Sequence, residues 1–244
     1  MSTKAYIQSL TDDKTDYELG KRVRAHLISK GLEQLMEETY DPEAAVGALQ
    51  DGLKKGLMAL GLDIMDPSIA DTPKRYACMV VGELTKGLNY EFFPKCTTTP
   101  NGVDAPEQEG PIGVAQRTGG YNQMVRVTEI ETISLCEHHL QTIDGFTYIA
   151  YIPSTKVLGL SKFARVTDFF ARRPQIQERM TEQIYEALTI ILETDDIAIV
   201  QDATHYCMKA RGALQRNSRT QTNKMGGRFM SQPALREEFL HGIR

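Results

Sequence analysis

Two short clusters hold five of the chain's nine cysteines and histidines. The first, Cys136-Glu137-His138-His139, is a C-x-x-H pair; the second, His205-Tyr206-Cys207, is an H-x-C pair. Zinc accepts thiolate and imidazole, and three protein ligands with one open position define a catalytic centre. Spacing alone leaves two readings open: a metal centre, or thiols and histidines satisfied within a core. A second group suits an anion. The run from Gly159 to Arg165 places Ser161, Lys162 and Arg165 on the first turns of an expected helix, where free backbone amides and cations attract phosphate. An ordinary capped helix with a polar face would carry the same residues. Glu178, beside Gln177, is either a surface carboxylate paired with a neighbour or an acceptor for two adjacent N–H donors, as a guanine edge presents them.

These residues need elements to position them. Val125, Val127, Ile130 and Ile133 alternate with polar residues as in a half-buried strand carrying a bulge, and this strand leads into Cys136. Residues 146–153 read as a second strand. Residues 196–210 read as a third, expected to pair near the first, so that the two clusters converge at strand ends. On a strand, residues two apart share a face, which would let His205 and Cys207 reach one cavity. Helical patterns are expected at 16–36, at 42–60 with Asp41 as cap and Pro42 at its first position, from Thr72-Pro73 to Gly87, at 160–171, at 174–193 opening on Pro174, and at 233–242. Residues 97–120 are rich in proline, glycine and polar residues and are expected as a long loop. The expected organisation is a helical N-terminal region over 1–98, a flexible loop over 99–122, and a catalytic domain over 123–244.

Bulk properties narrow the setting. The chain has 244 residues, 41% hydrophobic and 25% charged, an ordinary globular composition. No apolar run is long enough to span a bilayer, and the N-terminus lacks a signal peptide's apolar core, so no membrane role is expected. Four cysteines are too few for a disulfide scaffold at this length, which fits a reducing cytoplasm. Net charge is −4, yet between Asp202 and Glu237 no acid occurs while seven lysines and arginines do, Arg211 among them. Such a block suits a polyanion or is simply a solvated face. Aromatic residues are sparse there and the chain is acidic, which points to a small phosphate ligand and away from nucleic acid.

The runs SLCEHHL, YIAYIP, GLSKFARV, FFARRPQIQERMTEQI and HYCMKARG, in this order, resemble the GTP cyclohydrolase I family, and TPKRYACMVVGELTKGLNYEFFP resembles its N-terminal helix and the turn after it. The likeness covers roughly residues 42–98 and 123–244. It implies an α+β fold of the tunnelling type, an antiparallel sheet with packed helices. It implies a homo-oligomer, a decamer of two face-to-face pentamers, with sites between subunits. By position it implies Cys136, His139 and Cys207 as zinc ligands, and His138 and His205 as free histidines near the guanine imidazole and the ribose. Glu178, with Gln177 beside it, would anchor guanine. Ser161, Lys162, Arg165 and Arg211 would lie near the ribose and triphosphate, with Arg75 a further basic residue of the site. Three features depart from the family pattern: Cys78 stands where lysine is usual, residues 99–122 form a longer loop, and residues 1–30 match nothing in it.

The activity so implied is hydrolytic opening of the GTP imidazole ring at the head of pterin synthesis. Zinc would activate water for attack on C8 while His205 protonates N7. A second hydrolysis would release formate. Rearrangement of the ribose, with Ser161 and His138 as helpers, would close the ring to 7,8-dihydroneopterin triphosphate. Histidine suits these proton steps because its reference pKa of about 6.5 lies near working pH. Two rivals are another tunnelling-fold purine or pterin enzyme and a zinc-stabilised, non-catalytic assembly module. The basic residues and Glu178 argue against the first. The second would need neither Glu178 nor two spare histidines.

Overall fold

The computed structural model describes residues 14–33, 41–102 and 120–243. Helices begin where acidic caps stand. Asp16 caps α1 (Tyr17–Ser29) by accepting from Leu19 N at 3.0 Å, and Asp41 caps α2 (Pro42–Ala59) by accepting from Glu43 N at 2.9 Å. Each cap satisfies an amide that no helical carbonyl can reach. α3 (Thr72–Met79) runs on into one π-helical turn, Val80–Leu84. The first helix ends at Ser29, with Lys30 as its C-cap and Gly31 at φ 68°, short of the expected residue 36; residues 34–40, like 1–13 and 103–119, lie outside the described residues.

β1 (Thr98–Pro100) lies inside the segment expected to be loop. Asn101 ties the two ends of that segment together. Its amide donates to Tyr121 O at 2.9 Å and Ser154 O at 2.7 Å, and its carbonyl accepts from Tyr121 N at 3.0 Å. The main sheet contains β2 (Val125–Cys136), β3 (Thr142–Tyr151), β5 (Pro174–Gln175), β6 (Ile197–His205) and β7 (Thr220–Met225), in the order β5-β2-β3-β6-β7, while β4 (Lys156–Leu158) pairs with β1. Neighbours run antiparallel except β5, which lies parallel to the end of β2. The expected bulge is present, as a register shift between Val127 and Ile130 with Glu129 at φ 55°. α4 (Leu160–Ala171), α5 (Gln177–Leu192), the short α6 (Tyr206–Lys209), α7 (Gly227–Ser231) and α8 (Pro233–His241) complete an α+β fold.

Three expectations need correction. The third strand pairs with the second and with β7, not with the first, because β3 lies between β2 and β6. Pro174 does not open a helix: Pro174–Gln175 pairs with Leu135–Cys136, and α5 starts only at Gln177. The third strand also stops at His205, so Cys207 stands on a helical turn. The strand β7 has no apolar alternation in its sequence, since TQTNKM has a single strongly apolar residue, Met225.

β3 is buried on both faces at its C-terminal end, and its alternation divides two apolar clusters. Ile149 and Tyr151 join α4, α5 and Val23 and Leu27 of α1; Tyr148, Ala150 and Ile152 face Phe229 and Phe239 of α7 and α8. Gly145 is required on this strand, because a Cβ there would overlap the Asp202 carbonyl of β6.

A charge is buried where α1 meets the sheet edge. Arg173 is fully buried, packed 5.0 Å from the rings of both Phe169 and Phe170, and donates to Glu33 Oε1 at 2.9 Å and to Gly87 O. Tyr90 donates its hydroxyl to the same Glu33. Removing one partner of such a pair strands the other charge in a medium that solvates it poorly. The arrangement therefore fixes the segment that leads from α4 into β5, and β5 borders Cys136.

Candidate metal and substrate site

β2 ends at Cys136, where the chain turns tightly. Leu140 N donates to Cys136 O at 2.8 Å, Cys136 N donates to Gln141 O at 2.8 Å, and Leu140 adopts the left-handed region at φ 50°. A β-carbon makes that region costly, so the turn is held by its surroundings. It leaves His138 and His139 exposed beside the strand end. Glu137 N donates to Gln175 O at 3.0 Å and its carboxylate accepts from Arg179, which fastens the turn to β5 and α5.

Two strands away in the sheet, His205 closes β6 opposite Ile143, and the first turn of α6 carries Cys207 back over the strand end. One donor atom each from Cys136, His205 and Cys207 lies within 4.8 Å of the others. Cys136 Sγ also lies 3.8 Å from His138 Nδ1. His139 is not a member of the three-residue cluster; its ring centroid is 6.3 Å from that of His138. Burial pushes the Cys207 thiol up, and its hydrogen bond with Cys136 adds to this, while Arg211 pulls the other way. Two thiolates so close would repel each other, which is the electrostatic condition that a cation relieves. Two sulfurs with imidazole beside them form a donor set that fits zinc.

His205 is half-buried. Burial lowers its pKa, and the charge of Glu178 opposes the shift. Glu178 is exposed in the first turn of α5, and its field reaches His205 at the cluster's rim. Gln177, one residue earlier, is 1% exposed, and its Oε1 lies 2.8 Å from His205 Nε2. Arg211 is exposed after α6, near enough for its charge to act on Cys207.

The remaining expected residues stand elsewhere in the chain. Ser161 is exposed and Lys162 and Arg165 half-buried at the start of α4, where both cations act on the thiol of Cys96; burial nevertheless pushes that thiol up to about 12. α4 begins after β4, past the Tyr151 end of β3, and only its C-terminal end returns toward Leu135 and Cys136. Its 12 residues span about 18 Å. Arg75 is 78% exposed on α3 and pairs with Asp71 at 3.3 Å. Cys78 packs against Val46, Ala77 and Val81 in the small cluster between α2 and α3.

Sequence reasoning missed Arg179, Gln175, Gln201 and Thr222, all of which support this site. Their only advance signal is polar side chains at positions that the strand and helix periods turn inward.

Comparison with known proteins agrees with this geometry. A family model described as GTP cyclohydrolase I matches residues 49–244. The chain is similar to proteins named GTP cyclohydrolase 1 from Shewanella sp. (strain W3-18-1) and Shewanella baltica (strain OS185). Each is 44% identical over 225 residues, covering 92% of this chain and 98% and 97% of the respective relative. Matched over most of its length, with its paired thiols and histidine gathered at two strand ends, the chain belongs to the GTP cyclohydrolase I family.

Proposed function

We propose that this protein opens the imidazole ring of GTP by hydrolysis, releases formate and forms 7,8-dihydroneopterin triphosphate. The observation that carries the reading is the convergence of Cys136, Cys207 and His205 beside Glu178 in a chain of this family. Incubation with GTP, followed by assay of formate and identification of the pterin product, tests it. A protein that binds metal and releases no formate would be an assembly module instead.

The zinc ligands assigned by the resemblance are Cys136, Cys207 and His139. Bound there, zinc supplies the Lewis acidity that makes water nucleophilic near neutral pH. The chain's own groups do the rest. Glu178 accepts from guanine N1–H and the 2-amino group and fixes the base. His205 delivers a proton to N7, which makes C8 more electrophilic. His138, on the exposed turn, and Ser161 act later, on the ribose. Lys162, Arg165, Arg211 and Arg75 hold the triphosphate. Four free cysteines suit a reducing cytoplasm, and no helix among the described residues is long and apolar enough to cross a membrane.

Glu178→Ala should cost about 1.5 to 3 kcal/mol in transition-state binding, the worth of a hydrogen-bonded charge. This corresponds to roughly a 10- to 150-fold fall in kcat/KM for GTP. ATP, which lacks the donor pair, should be a very poor substrate. Normal turnover of GTP by the variant would move the carboxylate out of the site.

The position of α4 bears on assembly. Ser161 and Lys162 lie about one helix length from the end of α4 that approaches Cys136, so one chain brings Arg211 to its own thiol cluster but keeps Ser161 and Lys162 away from it. The reading is that a neighbouring copy supplies them, within a decamer of two pentamers. Light scattering combined with activity on dilution tests this. Dissociated subunits should keep their metal and lose formate release; a fully active monomer would refute shared sites.

A further inference from the structure

Beneath α5, a chain of buried polar side chains crosses the sheet from the bulge in β2 to the site. In order, the contacts are Ile130 O to Thr132 Oγ1 at 2.9 Å, Thr132 to Thr147 Oγ1 at 2.7 Å, Thr147 Oγ1 to Gln201 Nε2 at 3.0 Å, and Gln201 Oε1 to Thr181 Oγ1 at 2.6 Å. They continue from Thr181 to Thr222 Oγ1 at 2.7 Å, from Thr222 to Gln177 Nε2 at 3.3 Å, and from Gln177 Oε1 to His205 Nε2 at 2.8 Å. Thr132, Thr147, Gln177, Thr181 and Gln201 are all 3% exposed or less, so bulk water cannot reorient them.

The direction of every bond in this chain is determined from both ends. A backbone carbonyl only accepts, so Thr132 donates to Ile130 O and must accept from Thr147. Thr147 has then spent its proton and accepts from the Gln201 amide nitrogen, which turns the Gln201 carbonyl toward Thr181. Thr181 donates to that carbonyl, its alternative acceptor being Gln177 O at 2.9 Å, and so accepts from Thr222. Thr222 accepts only a share of a Gln177 N–H, because that amide nitrogen has two hydrogens and its nearer acceptors are Thr220 O at 2.9 Å and Gln201 O at 3.2 Å. The other end gives the same answer independently: Gln177 Nε2 faces Thr220 O at 2.9 Å and Gln201 O at 3.2 Å, both pure acceptors, so its carbonyl must face His205. An amide carbonyl cannot donate.

We propose that this one-way hydrogen-bond chain sets the tautomer of His205, with the proton on Nε2 donated to Gln177 and Nδ1 left as the acceptor nitrogen. Gln177 is on this account a positioning residue, because its buried amide has both N–H groups committed and its carbonyl engaged. The inference deepens the reading of this site given above, stands on the hydrogen-bond geometry, and changes the expectation that Gln177 binds substrate directly. With Nε2–H held, the ring cannot turn and Nδ1 keeps one fixed direction. A ring free to turn would lose aim, and a small misplacement of a reacting group is costly.

The first test needs no substrate. Solid-state 15N spectra of the zinc-loaded full-length protein grown on ring-labelled histidine, with His205→Asn supplying the difference spectrum, should show Nε2 protonated at His205. A spectrum with the proton on Nδ1 overturns the proposal. A metal-shifted Nδ1 with protonated Nε2 leaves the tautomer standing and removes the proton-donor reading. In kinetics, Gln177→Met should lower kcat by about tenfold or more with KM for GTP held within about twofold and zinc retained. A raised KM with normal kcat would mean that Gln177 touches substrate, and would overturn the proposal. Should Gln177→Met fail to fold, the wild-type spectrum decides alone, since the backbone carbonyls of Thr220 and Gln201 fix the Gln177 amide at the site itself. Wild-type protein that releases no formate defeats the proposed activity alone, because the spectrum still reads the tautomer.

Discussion

Cys136→Ser and Cys207→Ser should each lose bound zinc and formate release together. Both thiols belong to one cluster with His205, in which donor atoms lie within 4.8 Å. Serine replaces a soft anionic donor by a neutral hydroxyl that zinc binds far less well. Metal-assisted activation of water contributes several kcal/mol to such a hydrolysis, so activity should fall by about 10³-fold or more. Cys136 is buried and packs with Ile143 and Ala203, so Cys136→Ser also places a hydroxyl in an apolar setting and lowers stability by about 1 to 3 kcal/mol. Cys207 is less enclosed, and its variant should unfold closer to the wild-type temperature. Cys78→Ser serves as the control. That thiol packs between α2 and α3 in a separate cluster, and its loss should leave metal content unchanged. Normal zinc occupancy and turnover in both site variants would refute the ligand assignment.

The parts of this protein legible in its sequence are those governed by local rules. Asp16 and Asp41 announce their helices because an N-cap acts within three residues. β2 and its bulge are visible because alternation at period two breaks at one place, near Glu129. Strand order is not local. Nothing within residues 196–210 distinguishes pairing with β2 from pairing with β3, and the sheet put β3 in the middle. β5 escaped for a related reason: Pro174 is compatible with a first helical turn, and only its partners Leu135 and Cys136, some 40 residues earlier, reveal an edge pairing. Within the site, residue types revealed the thiol cluster, since Cys and His are scarce and these five are concentrated. The buried network is different. Threonine and glutamine are common surface residues, and only the fold shows that Thr147 and Gln201 face inward across the sheet. Arg173 likewise reads as one of two arginines after a helix, and its burial depends on Glu33 and Gly87 arriving from distant parts of the chain.

His205→Ala separates metal binding from proton transfer, and the structure makes that separation demanding. His205, not His139, completes the three-residue cluster with the two thiols. Two functions are therefore open to it: a proton donor at the rim, with His139 as the third ligand, or a ligand in its own right. The hydrogen bond from Nε2–H to Gln177 leaves one ring nitrogen for either task. Glu178 acts on the same ring through its charge, which favours the protonated form that burial disfavours. An imidazole placed in this way beside the Glu178 carboxylate suits a group that gains and loses a proton, whereas a zinc ligand must stay neutral. The expected result is that His205→Ala keeps zinc, still binds GTP, and loses ring opening by about 10²- to 10⁴-fold, the usual worth of a general acid. His139→Ala should show the converse pattern, with zinc lost and activity lost in the same proportion. Bound metal and single-turnover formate release, measured on both variants, decide the matter. If His205→Ala sheds zinc in proportion to activity while His139→Ala retains it, the two histidines exchange roles, and another group must protonate N7.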